Sequence, residues 1–360
     1  MLFPPFQLFG PVPNRNGLLE MHMRRLVIIL AFMAWASPAL AQETAPAFAS
    51  KFGHRGTAGG QFTFPSGMAL DAQGNIYVTD YVHRVQKFDP SGVFLSAWGH
   101  AGTGAVEFDY AVGLAVDGAG NILVADWGNN RIQKLSAGGT LITEWGSWGQ
   151  GDGQFNGPTS IALDPQGLIY VADQLNNRVQ KFDGNGAYIT QWGGEGSGPG
   201  QFWFPRSIAI DPSGNVFVSD WEDRIQKFDV EGTFVLEWGR PGSGTNTGEF
   251  ESPIVVKTDA AGNVYAADAG NNRVQKFDGN GIWIYTMGLG LGDHDGFMNF
   301  PIDVAVNATG DVLVTDMNNH RIQRFTTSGP FQRVAVKPST WGRLKTLYAG
   351  NQAKPGTRGR

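Results

Sequence analysis

The chain has 360 residues, among them 51 glycines and 19 prolines, with no cysteine and a formal net charge of −5. Lack of cysteine excludes disulfides, thiol chemistry and a lipid anchor on an N-terminal cysteine. The acidic balance argues against a nucleic-acid partner, which demands a basic footprint.

In chain order, residues 1–22 fit no targeting pattern and are expected to be a mis-assigned upstream start. Residues 23–41 read as a secretory signal. Met23, Arg24 and Arg25 form a basic start, Leu26 to Ala36 an apolar core, and Ala39-Leu40-Ala41 supplies the small residues a signal peptidase needs. That core is too short for a membrane span, which needs about 20 apolar residues. A mature chain beginning near Gln42 is therefore expected to be periplasmic or secreted in a bacterium, and stable without disulfides because its core is large.

From residue 47 to 336 one sentence is written six times. It reads Asp80 to Arg84-Val-Gln-Lys-Phe88, Asp126 to Arg131-Ile-Gln-Lys-Leu135 and Asp173 to Arg178-Val-Gln-Lys-Phe182. It continues as Asp220 to Arg224-Ile-Gln-Lys-Phe228, Asp268 to Arg273-Val-Gln-Lys-Phe277 and Asp316 to Arg321-Ile-Gln-Arg-Phe325. The arginines lie 47, 47, 46, 49 and 48 residues apart, a period of propellers and solenoids. Within each unit, runs of four to six residues rich in Val, Ile, Phe and Tyr alternate with Asp, Gly, Asn and Pro turns, which predicts four strands per unit. Six such units predict an all-β, six-bladed β-propeller of four-stranded antiparallel blades.

Each unit ends on an aromatic-Gly pair followed by a Gly-rich connection to Phe. Lys51-Phe52-Gly53 is such an ending with no unit before it. Residues 47–53 are therefore expected to supply the outer strand of blade six and close the ring. A rival ending stands at Ser339-Thr-Trp341-Gly342, within a tail, residues 337–360, that holds six Lys or Arg and no acid. The tail is expected to be solvated, and the closed ring to be monomeric.

On these residues the chain resembles the NHL-repeat proteins. Their signature is a strand ending in Asp, a short Asn-containing loop, then Arg-Ile/Val-Gln-Lys-Phe. The Asp80 to Arg84 and Asp220 to Arg224 loops are one residue shorter than the other four, which alters a loop and not the fold. The resemblance extends to peptidyl-hydroxyglycine amidating lyases and, more distantly, to streptogramin lyases. As implied by the lyase pattern, metal-binding histidines follow the Pro that opens a blade. That column here reads Ser66, Val112, Thr159, Arg206, Ile254 and Ile302, without a histidine.

Residues repeated in every blade are read as structure. The pairs Asp80/Arg84, Asp126/Arg131, Asp173/Arg178, Asp220/Arg224, Asp268/Arg273 and Asp316/Arg321 are expected to end strands and tie neighbouring strands or blades. Function is expected where blades differ, on the face bearing the loops between blades and between second and third strands. The candidate ligand-binding residues there are Phe64, Tyr81, Tyr110, Trp127, Trp203, Arg206, Trp221, Glu251 and Phe300, with Asn129, Asn176 and Asn271 among polar neighbours. Such aromatic and polar mixtures suit a protein, peptide or glycan ligand. A simple covering of blade edges is the structural alternative.

Two candidate cation sites are weaker. His83 and His320 hold equivalent places in blades one and six, with His54 between those blades, and three imidazoles could ligate zinc. Asp293, in a glycine-rich loop, could contribute to calcium binding. No resident cofactor is expected. Blade five breaks a column of alanines with Lys257, and blade six places Asp303 in a Gly/Ser column; an interblade ion pair is expected, with a ligand-facing role the alternative. The overall expectation is a binding scaffold, and the alternative is a lyase or hydrolase with a site near the axis.

Overall fold

The computed structural model of the protein describes residues 43–327. The expected signal segment, the basic tail and the rival ending at Trp341 lie outside the described residues.

Six four-stranded antiparallel sheets form the ring. Blade one comprises Pro65–Leu70, Ile76–Asp80, Arg84–Phe88 and Phe94–Trp98, and blade two comprises Ala111–Val116, Ile122–Asp126, Arg131–Leu135 and Leu141–Trp145. Blade three comprises Pro158–Leu163, Ile169–Asp173, Arg178–Phe182 and Tyr188–Gly193. Blade four comprises Ser207–Ile210, Val216–Asp220, Arg224–Phe228 and Phe234–Trp238, and blade five Pro253–Thr258, Val264–Asp268, Arg273–Phe277 and Trp283–Met287. Blade six takes Pro301–Val306, Val312–Asp316 and Arg321–Thr326 from the end of the repeats and Ala47–Phe52 from their beginning. Ala47 pairs with Thr326 and Phe52 with Ile322, so the N-terminal strand closes the ring.

Burial follows position in the blade. The second strands are buried along their whole length, as in Ile169–Asp173, because neighbouring blades cover both faces. Fourth strands such as Leu141–Trp145 alternate between half-buried and exposed residues, as edge strands do. Apolar side chains gather at the six seams. Between blades two and three, for instance, Leu123, Ile132, Phe155, Ile161, Val171 and Phe182 form one cluster, and equivalent clusters fill the other five seams.

Bottom turns between first and second strands are built by an aspartate in blades one to five and by Asn307 in blade six. Asp71 Oδ1 accepts the amides of Gln73 and Asn75 at 3.0 and 2.8 Å, and Gly74 supplies the positive φ of +81° that the turn needs. The ring closure reuses the same parts as the other seams. Trp98, Trp145, Trp192 and Trp238 each pack on a turn glycine of the following blade, where a Cβ would collide with the ring; Phe52 packs in the same way on Gly92 of blade one. No helix among the described residues is long and apolar enough to cross a membrane.

Candidate functional site

The repeated charges form a buried clamp inside each blade. In blade three Arg178 Nε donates to Asp173 Oδ2 at 2.7 Å, while its Nη2 donates to the carbonyls of Gly151 and Gln154 in the connection entering the blade. Gln180 Nε2 donates to that Gln154 carbonyl and to Asp173 Oδ2, and Gln180 Oε1 accepts the amide of Gly153. Burial pushes the carboxyl of Asp173 up, while the Asn156 amide, Asn176 and Arg178 pull it back. The side chains of Asp126, Asp173, Asp268 and Asp316 have no solvent exposure, and each receives the Nε of its arginine, at 2.7 or 2.8 Å.

The loop one residue shorter changes the clamp's chemistry. In four blades an asparagine three residues after the aspartate, Asn129, Asn176, Asn271 or Asn319, donates both to the aspartate and to a carbonyl of the incoming connection. Asn129, Asn176 and Asn271 were expected as polar lining for a ligand; their amides are instead committed inward. In blades one and four no asparagine stands there. Arg84 Nε sits 3.2 Å from both oxygens of Asp80, and Arg224 Nε 3.3 and 3.1 Å from those of Asp220, with Nη1 reaching Thr57 and Ser197 carbonyls.

A second ring, not foreseen from the sequence, joins the blades on the loop-bearing face. The residue just before each repeat arginine, His83, Asn130, Asn177, Asp223, Asn272 or His320, has φ between 53° and 62°. Asn, Asp and His are the residues enriched in that left-handed region. Each accepts the main-chain N–H of the next blade's incoming residue: Tyr110, Gly157, Phe204, Ser252, Phe300 and Phe64, at 2.8 to 3.1 Å. The donating residues also have positive φ, from 48° to 67°. A side-chain acceptor before all six arginines was the signal that could have revealed this ring.

That geometry decides where the histidines go. His320 Nδ1 serves the seam between blades six and one, His83 Nδ1 the seam between blades one and two, and His54 Nε2 lies 3.1 Å from Gln61 Nε2. The three imidazoles therefore do not converge as a ligand set. Asp293 and His294 are exposed and 3.4 Å apart. No group of three His, Cys, Asp or Glu able to hold a metal occurs among the described residues.

The aromatic candidates fall into two groups. Phe64 contacts Tyr81 at 5.9 Å between centroids, Tyr81 contacts Tyr110 at 5.8 Å edge-on, and Tyr110 contacts Trp127 at 6.4 Å edge-on, making an arc across blades one and two. His320 extends it, 4.7 Å from the Phe64 ring. In blade four Trp203 stacks on Phe204, Phe204 meets Trp221, and the Arg206 guanidinium lies 4.7 Å over Trp221. Tyr81, Tyr110, Trp203 and Trp221 are exposed. Phe300 makes no ring contact among the described residues, and the exposed Glu251 donates its amide to Asp268 Oδ1 at 2.9 Å.

Nearer the axis, Asp303 is buried. Its Oδ2 accepts the amide of Met68 in blade one at 2.6 Å and its Oδ1 that of Val304 at 2.7 Å, while Lys257 Nζ stands 3.9 Å from Oδ1. Ser160 and Ser207 occupy the same column and receive the amides of Ile208 and Val256 in the same way. Asp303 is thus a seam residue first, with Lys257 as its loose counter-charge.

The six closed blades define a β-propeller. Matches to known families agree: residues 62–88, 108–135 and 298–325 match the NHL repeat, and residues 150–252 match a family described as a 6-bladed beta-propeller. The chain thus carries NHL repeats and folds as a six-bladed propeller. Similar solved structures include a structural genomics protein of unknown function from Bacteroides thetaiotaomicron, 19% identical with a TM-score of 0.59 over 79% of this chain and 75% of that one. A gluconolactonase from Xanthomonas campestris is 15% identical with a TM-score of 0.54, covering 80% of this chain and 99% of that one. A streptogramin B lyase is 15% identical with a TM-score of 0.55, covering 79% and 99%. At these identities the likeness is one of fold. No curated protein matches the chain.

Proposed function

We propose that this protein is an exported binding scaffold whose loop-bearing face recognises a protein, peptide or glycan. The observation that carries the reading is the contiguous arc of Phe64, Tyr81, Tyr110 and Trp127, with Tyr81 37% and Tyr110 44% exposed. Phe64 and Tyr110 are held by positive-φ backbone and interblade amide bonds, and Tyr81 and Trp127 lean on them, so the arc presents apolar area at little entropic cost on binding. The face is a surface of difference on a frame of repetition: the clamp recurs in all blades, whereas the arc spans only some. A lyase or hydrolase reading has less to rest on, because the column after the blade-opening proline holds no histidine.

The test is binding of the purified protein to peptide and glycan arrays, alongside a Tyr81→Ser/Tyr110→Ser double variant with the wild-type fold. The reading expects a defined class of ligand bound by wild type and weakened at least about tenfold in the variant, the scale of one good aromatic hot spot. Binding that survives the double substitution would remove the arc from the function.

A further inference from the structure

We propose that Arg206, with the aromatic shelf of Trp203, Phe204 and Trp221, forms a subsite for a single carboxylate attached to a bulky apolar group, as at the C-terminus of a peptide. The inference rests on the top-face reading and names the chemistry of one ligand end.

Position argues first. The column that holds Arg206 holds Ser66, Val112, Thr159, Ile254 and Ile302 in the other blades. Five blades assemble without a cation there, so the ring itself does not require one. In blade four the first strand also starts later, with the Arg206 amide donating to the Ser219 carbonyl at 2.8 Å. Pro65, Ala111, Pro158, Pro253 and Pro301 pair with the clamp aspartates of their blades, whereas the first strand of blade four starts only at Ser207, opposite Ser219.

The state of the guanidinium argues second. Arg206 Nε is shut from solvent without a hydrogen-bond partner, and the side chain makes no hydrogen bond among the described residues. Its two terminal nitrogens are the donors left, on a group whose charge burial has already made costly, and whose pKa burial pulls down. A partly desolvated guanidinium held against an indole is a stronger partner for an anion than one in water. Two parallel terminal N–H groups match the two oxygens of a carboxylate.

The surroundings limit the ligand. Asp223 is the acid whose charge acts on Arg206, but its Oδ1 already accepts the Ser252 amide at 2.9 Å and no ion pair joins the two among the described residues. With Glu222 and Glu251 on the same rim, a polyanion meets repulsion while a lone terminal charge meets one arginine. Trp221, 57% exposed, and Trp203, 38% exposed, supply the apolar surface for the group beside that charge.

The experiment titrates the full protein with N-acetylphenylalanine, N-acetylphenylalanine amide and glucuronate, following the tryptophan indole N–H signals by NMR. The proposal expects N-acetylphenylalanine to bind at least about tenfold more tightly than its amide, the scale of one charge-assisted hydrogen-bond pair. Arg206→Gln abolishes that preference and Arg206→Lys keeps part of it, with the spectra of both otherwise native. Preference for glucuronate over N-acetylphenylalanine would overturn the peptide end in favour of an acidic sugar. Equal binding of acid and amide, no binding of either at millimolar concentration, or a preference that survives Arg206→Gln overturns the subsite. The array result with the Tyr81→Ser/Tyr110→Ser variant stands apart from these outcomes, so failure of the top-face reading and failure of the carboxylate subsite are told apart.

Discussion

His320 Nδ1 accepts the main-chain N–H of Phe64 across the seam where the ring closes, and the same imidazole lies 4.7 Å from the Phe64 ring. The bond requires an unprotonated Nδ1. In blades two, three and five an asparagine Oδ1 does the same work without a titration.

Burial first, and the nearby Arg55 charge second, hold the His320 imidazole below the usual histidine range. A depressed folded pKa means its contribution to stability is present above the unfolded value of about 6.5 and is lost as pH falls through the folded value. His320→Asn is expected to keep neutral-pH stability and to flatten that part of the stability-pH curve. His320→Ala leaves the Phe64 amide unsatisfied and is expected to cost about 1–3 kcal/mol at pH 8. Urea unfolding from pH 8 to 5 measures both; an unchanged pH slope in His320→Asn would assign the acid sensitivity elsewhere.

Asp173→Ala leaves Arg178 buried without its carboxylate. The expected loss is about 3–5 kcal/mol, the cost of breaking a buried pair from one side. Asp220→Ala should behave alike in spite of its shorter loop, since Arg224 there binds both carboxylate oxygens. Denaturant midpoints against wild type check this, and a cost below about 1 kcal/mol, the range of surface pairs, would mean the clamp is solvated.

Phe52 on Gly92 is the closing seam's outer contact. Phe52→Ala is expected to cost about 3 kcal/mol, the lower end for a buried phenylalanine because Phe52 is only half-buried. Gly92→Val should be worse, since it adds a β-branched side chain at φ +91° and drives it into the ring. Differential scanning calorimetry of the two variants ranks them; the reverse order would mean that Phe52 swings aside freely.

Removing Lys257 tests the axial pair. Asp303 has its pKa raised, by burial foremost, with Lys257 and the Met68 and Val304 amides opposing. A raised folded pKa means stability is fully present below the unfolded value of about 3.9 and falls as pH rises through the folded value. Lys257→Met moves that folded pKa higher still, so its deficit, expected at about 1–3 kcal/mol at pH 7, should shrink towards pH 4. A deficit that does not change with pH would show that Lys257 acts by packing.

Much of the fold was legible because it repeats. Six copies of Asp to Arg-Ile/Val-Gln fixed blade count and strand order, and the unpaired Lys51-Phe52-Gly53 ending announced the closing strand found at Ala47–Phe52. The clamp's internal wiring was not legible, because Asn129 and Asn176 look like surface loop residues until the carbonyls of Gly102 and Gly149 are seen beside them. The interblade ring was hidden for another reason: it links a residue in one repeat to a main-chain amide 27 to 29 positions on, and at the closing seam 256 positions away. A backbone partner leaves no mark in the residue type. Arg206 stood out by the opposite property, as a departure within a column.

Joining Ala47 to Thr326 has a consequence for how the chain reaches its native form. Five blades are made of consecutive residues and can form locally as each becomes available. The sixth cannot, because its outer strand precedes the other five blades and its inner three strands follow them. Closure therefore demands the largest loop entropy of any pairing in the molecule and is expected to be the late, slow event in folding. It also brings the two ends of the ring side by side in one sheet, so a short peptide linking them, with new termini opened in a bottom turn such as that at Gly74, should yield a permuted propeller with its sixth blade continuous.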